Sequence, residues 1–226
     1  MSTSVLTGAH QLAALLLVTA LGSGACSSGM DTASAVQAES VQAQINAYVA
    51  NANNNTVSVI DTATNTITAT IPVGRAPVSL AVTPNRAFLY VVNDGANSVS
   101  IVDTATNTVV ATVPVGSAPF GIAATPDGAF MYVTNLRGNS VSVIDTATNT
   151  VAATIPVGRF PEGVAITPDG AFAYVVNDGD NNVSVIATAT NTVNTTVPVS
   201  AIPGPVAVSP DGSLVYVGNN IAQAVG

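Results

Sequence analysis

The chain has few of the residues that carry enzyme chemistry. Its one histidine, His10, and its one cysteine, Cys26, both lie within the first 26 of 226 residues. The rest of the chain therefore cannot form a Ser-His-Asp triad, a Cys-His pair or the usual zinc sites. Glutamate occurs only at Glu39 and Glu162, which leaves little material for a pair of converging glutamates. This composition favours a protein that binds over one that catalyses.

Lysine is absent altogether, and the formal net charge is −8. Contacts to phosphate groups need lysine or arginine in number, so the charge argues against binding to nucleic acid or to an anionic membrane surface. No glycine-rich phosphate loop leads from a strand into a helix, which leaves nucleotide binding without support. With a single cysteine the chain cannot form an internal disulfide, and its stability must come from a packed core and from its turns.

The first 44 residues differ in composition from the rest. Residues 12–21 form an apolar run that is too short to span a bilayer and is typical of a signal-peptide core. We predict a signal peptide over residues 1–25, a flexible Ser- and Ala-rich tether over 26–44, and export of the chain. Cys26 directly after small residues resembles the lipobox of bacterial lipoproteins, although Ser23 stands where leucine is usual. Lipidation at Cys26 is the prediction, and cleavage after Ala25 that leaves a thiol is the alternative.

Residues 45–226 repeat with a period of 42. The five tyrosines are spaced by 42 residues each, and twelve of the thirteen prolines fall into three registers with the same step. A fixed period of this size is the mark of a repeat architecture, here with about 4.3 copies. The tyrosines lie at Tyr48, Tyr90, Tyr132, Tyr174 and Tyr216.

Each copy contains four short runs rich in Val, Ile, Thr and Phe, separated by turn signals. Four antiparallel strands in about 40–45 residues make one blade of a β-propeller. We therefore predict an all-β fold, a β-propeller of four-stranded antiparallel blades. Aspartates that recur with the period are predicted to serve the turns through their side chains. They are Asp61, Asp103 and Asp145 in one turn, where the fourth copy has Ala187, and Asp127, Asp169 and Asp211 in another.

The second strand of each copy carries a recurring tetrapeptide. Residues 132–135 read Tyr-Val-Thr-Asn, and the related sites vary only at the third position. Together with the recurring Ile-Pro-Val-Gly and Thr-Pro-Asp-Gly segments, the sequence resembles the YVTN-type β-propeller repeat family. The resemblance implies an exported or surface-attached propeller of bacteria or archaea, commonly with seven blades. Most members of that family have no assigned chemistry.

The number of blades is left open by the sequence. Three whole copies, over 76–117, 118–159 and 160–201, lie between an incomplete copy around Tyr48 and another around Tyr216. In one arrangement the first strand of the last copy completes the opening three strands and closes a ring of four blades. In the other the chain is a partial or truncated propeller, an open arc whose edges invite self-association.

The candidate ligand contacts are positions where the repeat departs from its own pattern. The first strand of each propeller blade lines the central channel, and the connection that enters it forms one rim. In this chain the side chains at those positions change from copy to copy, whereas neighbouring positions stay nearly constant. We predict a ligand-binding rim at the channel mouth. Its residues are Arg75, Val78, Phe120, Arg159, Phe160 and Glu162.

The leading functional hypothesis is an exported, non-catalytic scaffold that binds a protein or glycan at this rim. One alternative is a lactonase-like hydrolase with Glu162 near a divalent ion, and another is a structural component of a surface layer. No catalytic residue, metal or cofactor is predicted. A calcium site in the Asn-Asp-Gly turns at 93–95 and 177–179, with Asp180 and Asn181, is kept as an alternative.

Overall fold

A computed structural model of the protein describes residues 46–219. These residues belong to one compact unit. The predicted signal peptide, Cys26 and the tether over 26–44 lie outside the described residues. Within the described range, no helix is long and apolar enough to cross a membrane.

Seventeen strands make up the described part of the chain, arranged as five antiparallel sheets that we number as blades. Blade 1 contains β1 (Asn46–Asn51), β2 (Thr56–Asp61) and β3 (Thr66–Pro72). Blade 2 contains β4 (Pro77–Val82), β5 (Phe88–Asn93), β6 (Ser98–Asp103) and β7 (Thr108–Pro114). Blade 3 contains β8 (Pro119–Ala124), β9 (Phe130–Asn135), β10 (Ser140–Asp145) and β11 (Thr150–Pro156). Blade 4 contains β12 (Pro161–Ile166), β13 (Phe172–Asn177), β14 (Asn182–Ala187) and β15 (Thr192–Pro198). Blade 5 contains β16 (Pro203–Val208) and β17 (Val215–Asn219). Short 3-10 turns occupy Asp94–Ala96 and Asp178–Asp180.

The predicted fold class is confirmed: the protein is all-β, with complete four-stranded blades in chain order and partial sheets at either end of the described range. The predicted alternative in which the last copy completes blade 1 is wrong in this structure. β16 pairs with β17, not with β1, and the hairpin that joins the two is closed by the Ser209 N–H bond to the Leu214 carbonyl. A strand that is one short turn away costs far less chain entropy to pair than one at the far end of the sequence.

The apolar core lies between blades. The valines, isoleucines and tyrosines of one blade pack against the next blade, so each cluster belongs to two neighbours. Between blades 1 and 2 the buried residues include Ile71, Leu89 and Val91. Between blades 2 and 3 they include Val113, Met131 and Val133, and between blades 3 and 4 Ile155, Ala173 and Val175. Neighbouring blades therefore hold each other in place.

Tyr90 and Tyr132, two of the five periodic tyrosines, lie between neighbouring blades. Tyr90 and Tyr132 are each 1% exposed. Their hydroxyls donate to Asn149 Oδ1 at 3.1 Å and to Asn191 Oδ1 at 2.6 Å, in each case in a turn of the following blade. Burial raises the pKa of Tyr132 to about 12. The ring fills an interblade layer, and its hydroxyl ties that layer to the neighbour.

The recurring aspartates accept hydrogen bonds from the backbone of their turns, as predicted. Asp103 Oδ1 accepts the N–H groups of Ala105 and Thr106, both at 2.9 Å. These bonds, above all that from the Thr106 N–H, lower the pKa of the Asp103 carboxyl because they favour its charged form. Ala187 has no oxygen to offer at the same position, so blade 4 makes the turn without this acceptor.

Candidate binding groove at the channel mouth

The innermost strands of blades 2 to 5 pack side by side, in the order β4, β8, β12 and β16. Side chains from all four line a groove of about 290 Å³. Three of the predicted rim residues, Val78, Phe120 and Glu162, share this groove, with Pro205 from the last inner strand. The three occupy the same position in successive copies, and the structure brings them together.

The backbone of the groove is fixed by close approach between β8 and β12. The Thr134 hydroxyl donates to the Glu162 carbonyl at 2.8 Å and accepts the Gly121 N–H, also at 2.8 Å. A Cβ on Gly121 would collide with the same Glu162 carbonyl, so only glycine lets these strands approach so closely. The Glu162 carbonyl is therefore held by the Thr134 hydroxyl and packed against Gly121, and Glu162 lines the groove.

The groove combines apolar surface with one carboxylate. Val78 is 39% exposed and Phe120 is 42% exposed, both high for large apolar side chains. The pKa of Glu162 is raised, first because burial penalises the charged carboxylate and second because Asp178 repels it. A cationic group of a ligand would offset the repulsion from Asp178, and a cationic or hydroxyl group could donate a hydrogen bond to the carboxylate, while the valine and phenylalanine would contact an apolar part of the ligand.

The other three predicted residues lie outside the lining of the groove, in connections that lead into the inner strands. Arg159 forms an ion pair with Asp180, with Nε 2.6 Å from Oδ1, and also donates to the Gly179 carbonyl at 2.7 Å. Arg159 therefore pairs with Asp180 and not with Glu162, which lies three residues further along the chain. Arg75 reaches the corresponding carbonyl of Gly95, with Nε at 2.9 Å.

At the position of Phe160, the backbone conformation is the same in each copy of the repeat, whereas the side chain differs. The φ of Phe160 is +52°, and its N–H donates to Asn139 Oδ1 at 3.1 Å in the preceding blade. Ala76, Ala118 and Ile202 repeat both the positive φ and the bond to an asparagine. The Phe160 side chain is exposed and lies against Gly179. The side chain at this position therefore varies, whereas the hydrogen bond from its N–H to an asparagine of the preceding blade is constant. We call this bond between neighbouring blades the latch.

Reasoning from the sequence did not predict the structural roles of two sets of asparagines, although one set belongs to the recurring Tyr-Val-Thr-Asn tetrapeptide. One set supplies the latch just described; it consists of Asn55, Asn97, Asn139 and Asn181, each 21 residues before its partner. The other ends the second strand of each complete blade: Asn135, for example, is fully buried and donates through Nδ2 to two serine hydroxyls. Both recur every 42 residues, so alignment of the copies could have found them.

In the predicted calcium alternative, Asp180 and Asn181 are engaged with protein groups, whereas Asn93 Oδ1 and Asn177 Oδ1 are buried and have no hydrogen-bond partner. Both carboxylate oxygens of Asp180 accept bonds from Arg159, and Asn181 Oδ1 accepts the Ile202 N–H at 3.0 Å. Over residues 46–219, no three His, Cys, Asp or Glu side chains lie close enough together to hold a metal ion.

Comparison with known proteins supports a β-propeller family. The family model of YNCE-like beta-propellers matches residues 85–172. A solved structure of Kuenenia stuttgartiensis hydrazine synthase is similar with a TM-score of 0.73 and 31% identity, over 76% of this chain and 51% of that chain. A functionally unknown protein from Desulfotomaculum acetoxidans DSM 771 is similar with a TM-score of 0.53 and 22% identity, over 76% of this chain and 72% of that chain, and shows the fold alone.

The chain thus spans about half the length of the hydrazine synthase chain that it matches. No curated protein matches the sequence.

Proposed function

We propose that this chain is a non-catalytic binding module, an exported YVTN-type β-propeller that holds a protein or glycan at the groove of Val78, Phe120 and Glu162. One observation carries the proposal. One position that differs from copy to copy, occupied by Val78, Phe120 and Glu162, lines a single groove, whereas constant residues such as Tyr90 and Tyr132 hold the blades together. If this position only stabilised the fold, the same side chain could serve in every blade.

The chemistry of the groove favours a partner with a basic or hydroxyl-rich group beside apolar surface. Phe120 and Val78 offer contact area, and Glu162 offers one carboxylate. The net charge of −8 adds a long-range attraction for a cationic partner, which raises the rate of encounter at low salt. We expect binding that weakens as ionic strength rises.

The groove is tested with a glycan array and a peptide array, each probed with the wild-type chain and with Phe120→Ser and Glu162→Gln variants. Val110→Ser is the matched control, because Val110 is an exposed apolar residue on the outer strand β7. We expect the spots that bind the wild type to dim with both groove variants and to persist with the control. Binding that all variants share, or no binding by the wild type on either array, would contradict the proposal.

Export and anchoring are proposed from the leader sequence. Residues 12–21 are apolar, and the small residues that follow lead to Cys26. Intact mass of the mature protein from membrane and soluble fractions tests both points. A mass that begins at a diacylglyceryl Cys26 supports a lipoprotein, an unlipidated mass that begins at residue 26 supports export alone, and a mass that retains residue 1 contradicts both.

The hydrazine synthase named above is an enzyme, but this chain corresponds to only part of it, and we propose no such reaction here. The hydrolase and surface-layer alternatives gain no specific observation from residues 46–219, and both stay predictions.

A further inference from the structure

The groove at the channel mouth has few polar side chains. Of the described residues that line it, only Ser79 and Glu162 have polar side chains, and the others are apolar or glycine. A glycan brings several hydroxyl groups, and each one that loses water without gaining a hydrogen bond costs affinity. The volume of about 290 Å³ is also at the small end of pockets that enclose a whole ligand, which measure roughly 300–1,000 Å³. The groove therefore suits one long side chain of a partner better than an oligosaccharide.

Negative charge at this end of the molecule is concentrated on blade 4. The connection into β12 and the turn after β13 bring Arg159, Asp178 and Asp180 beside Glu162. Arg159 is bound to Asp180, the one ion pair over residues 46–219, so neither Glu162 nor Asp178 has a cationic partner there. The turn Asp178–Asp180 contacts β12, and burial, followed by repulsion from Asp178, raises the pKa of Glu162. Two carboxylates without a counter-charge thus lie at the blade 4 side of the groove.

The corresponding segments of blades 2 and 3 have no such excess of negative charge. Blade 2 has one acidic and one basic residue there, Asp94 and Arg75, and blade 3 has Arg137 alone. The groove position itself is Val78 in blade 2 and Phe120 in blade 3. The groove is therefore acidic on its blade 4 side and apolar on its blade 2 and blade 3 side, and this difference orients a ligand that carries a cation at the end of an apolar stem.

We propose that the groove binds an arginine side chain of a protein partner, an inference that rests on the binding function proposed above. In this arrangement the methylene groups of the arginine lie along Val78 and Phe120, and its guanidinium reaches Glu162. A guanidinium donates two hydrogen bonds to one carboxylate and stacks on an aromatic ring, so Glu162 and Phe120 together favour it over the ammonium group of lysine. Asp178 adds attraction without having to touch the ligand.

The test uses four pools of acetylated pentapeptide amides with random uncharged flanks, which differ only in a central arginine, lysine, citrulline or norleucine. Citrulline keeps the shape of arginine without its charge, and norleucine keeps an apolar stem alone. The full chain is immobilised and incubated with each pool at low salt, and the retained peptide is measured by mass spectrometry. We expect the arginine pool to be retained most, the lysine pool about threefold less, and the two neutral pools about tenfold less. The advantage of arginine should shrink as salt is added.

Two aspartates form a matched pair of variants. Asp178→Asn and Asp94→Asn each remove one carboxylate at the same position of the repeat, but Asp94 lies in blade 2. We expect Asp178→Asn to weaken retention of the arginine pool about twofold to threefold, and Asp94→Asn to leave it unchanged. Glu162→Gln should abolish the preference for arginine over citrulline. Phe120→Leu, which keeps an apolar contact, should abolish the preference for arginine over lysine.

Equal retention of the arginine and citrulline pools by the wild type overturns the inference. Equal losses in Asp178→Asn and Asp94→Asn also overturn it, because they would show attraction by net charge and not by the acidic side of the groove. These results are separable from failure of the binding function itself. Glycans that bind the wild type and not Phe120→Ser would keep the groove as a binding site and overturn the arginine inference alone, whereas no binding of any peptide or glycan overturns both.

Discussion

Replacement of Tyr132 by phenylalanine tests whether the tyrosine hydroxyls tie neighbouring blades together. The ring is 1% exposed, and phenylalanine keeps its packing. What is lost is the 2.6 Å bond from the hydroxyl to Asn191 Oδ1, an acceptor that is then left partly buried and unpaired. A buried hydrogen bond contributes about 1 kcal/mol net, and an orphaned acceptor adds to that, so we expect a loss of about 1–2 kcal/mol in the free energy of unfolding.

The repeat supplies its own controls. Tyr90→Phe removes a longer bond of 3.1 Å, and we expect a smaller loss, about 0.5–1.5 kcal/mol. Tyr48→Phe should cost close to nothing, because Asn107 Oδ1, the acceptor that corresponds to Asn149 and Asn191 in an earlier copy of the repeat, has no hydrogen-bond partner. Urea unfolding followed by circular dichroism measures all three. Equal losses for Tyr48→Phe and Tyr132→Phe would refute the reasoning, since they would show that the hydroxyl acts through something other than this bond.

The same bond has a pH signature. Burial raises the pKa of Tyr132 from 10.0 to about 12. The folded state therefore resists loss of this proton more than the unfolded state does, and the associated stability is fully present below pH 10 and lost as the pH rises toward about 12. The difference between wild type and Tyr132→Phe should narrow above pH 10, and a constant difference up to pH 12 would count against a buried hydroxyl.

Three other changes follow from the packing and the turns. Met131→Ala should destabilise by about 2–5 kcal/mol in urea unfolding, because Met131 is fully buried between two blades. Gly121→Ala should cost about 1–3 kcal/mol through the clash with the Glu162 carbonyl, whereas Ser79→Ala at the same position of blade 2 should be nearly neutral; similar urea midpoints for the two would count against the clash. Ala187→Asp should raise the urea midpoint by restoring the turn acceptor of the other blades, and the gain should be present at neutral pH and vanish as the pH falls below about 4, because the turn N–H groups lower the pKa of such a carboxyl.

Strand positions were predictable because their signals are local. Thr-Pro-Asp-Gly turns and alternating Val and Ser residues determine each hairpin locally, and the four predicted runs of blade 2 are the strands β4 to β7. The turn role of Asp103 followed in the same way, because the carboxylate bonds the backbone of its own turn. The convergence of Val78, Phe120 and Glu162 followed from the period alone.

The contacts that the sequence did not reveal join segments about half a repeat apart. Glu162, three residues on, was the obvious partner for Arg159, but the positive φ of Phe160 turns the chain between them. Asp180 instead arrives from the next turn, 21 residues along the chain.

The sharing of every core cluster by two blades has a consequence for how such a chain changes over evolution. Ile71, Val113 and Ile155 each occupy the same position and insert into the next blade. A gene that lost residues 118–159 would bring Val113 against Ala173 and Val175, where Ile155 packs now. Whole units can therefore be gained or lost by recombination without a new interface having to arise, while the turns at the two ends of each blade remain free to diverge into different binding surfaces.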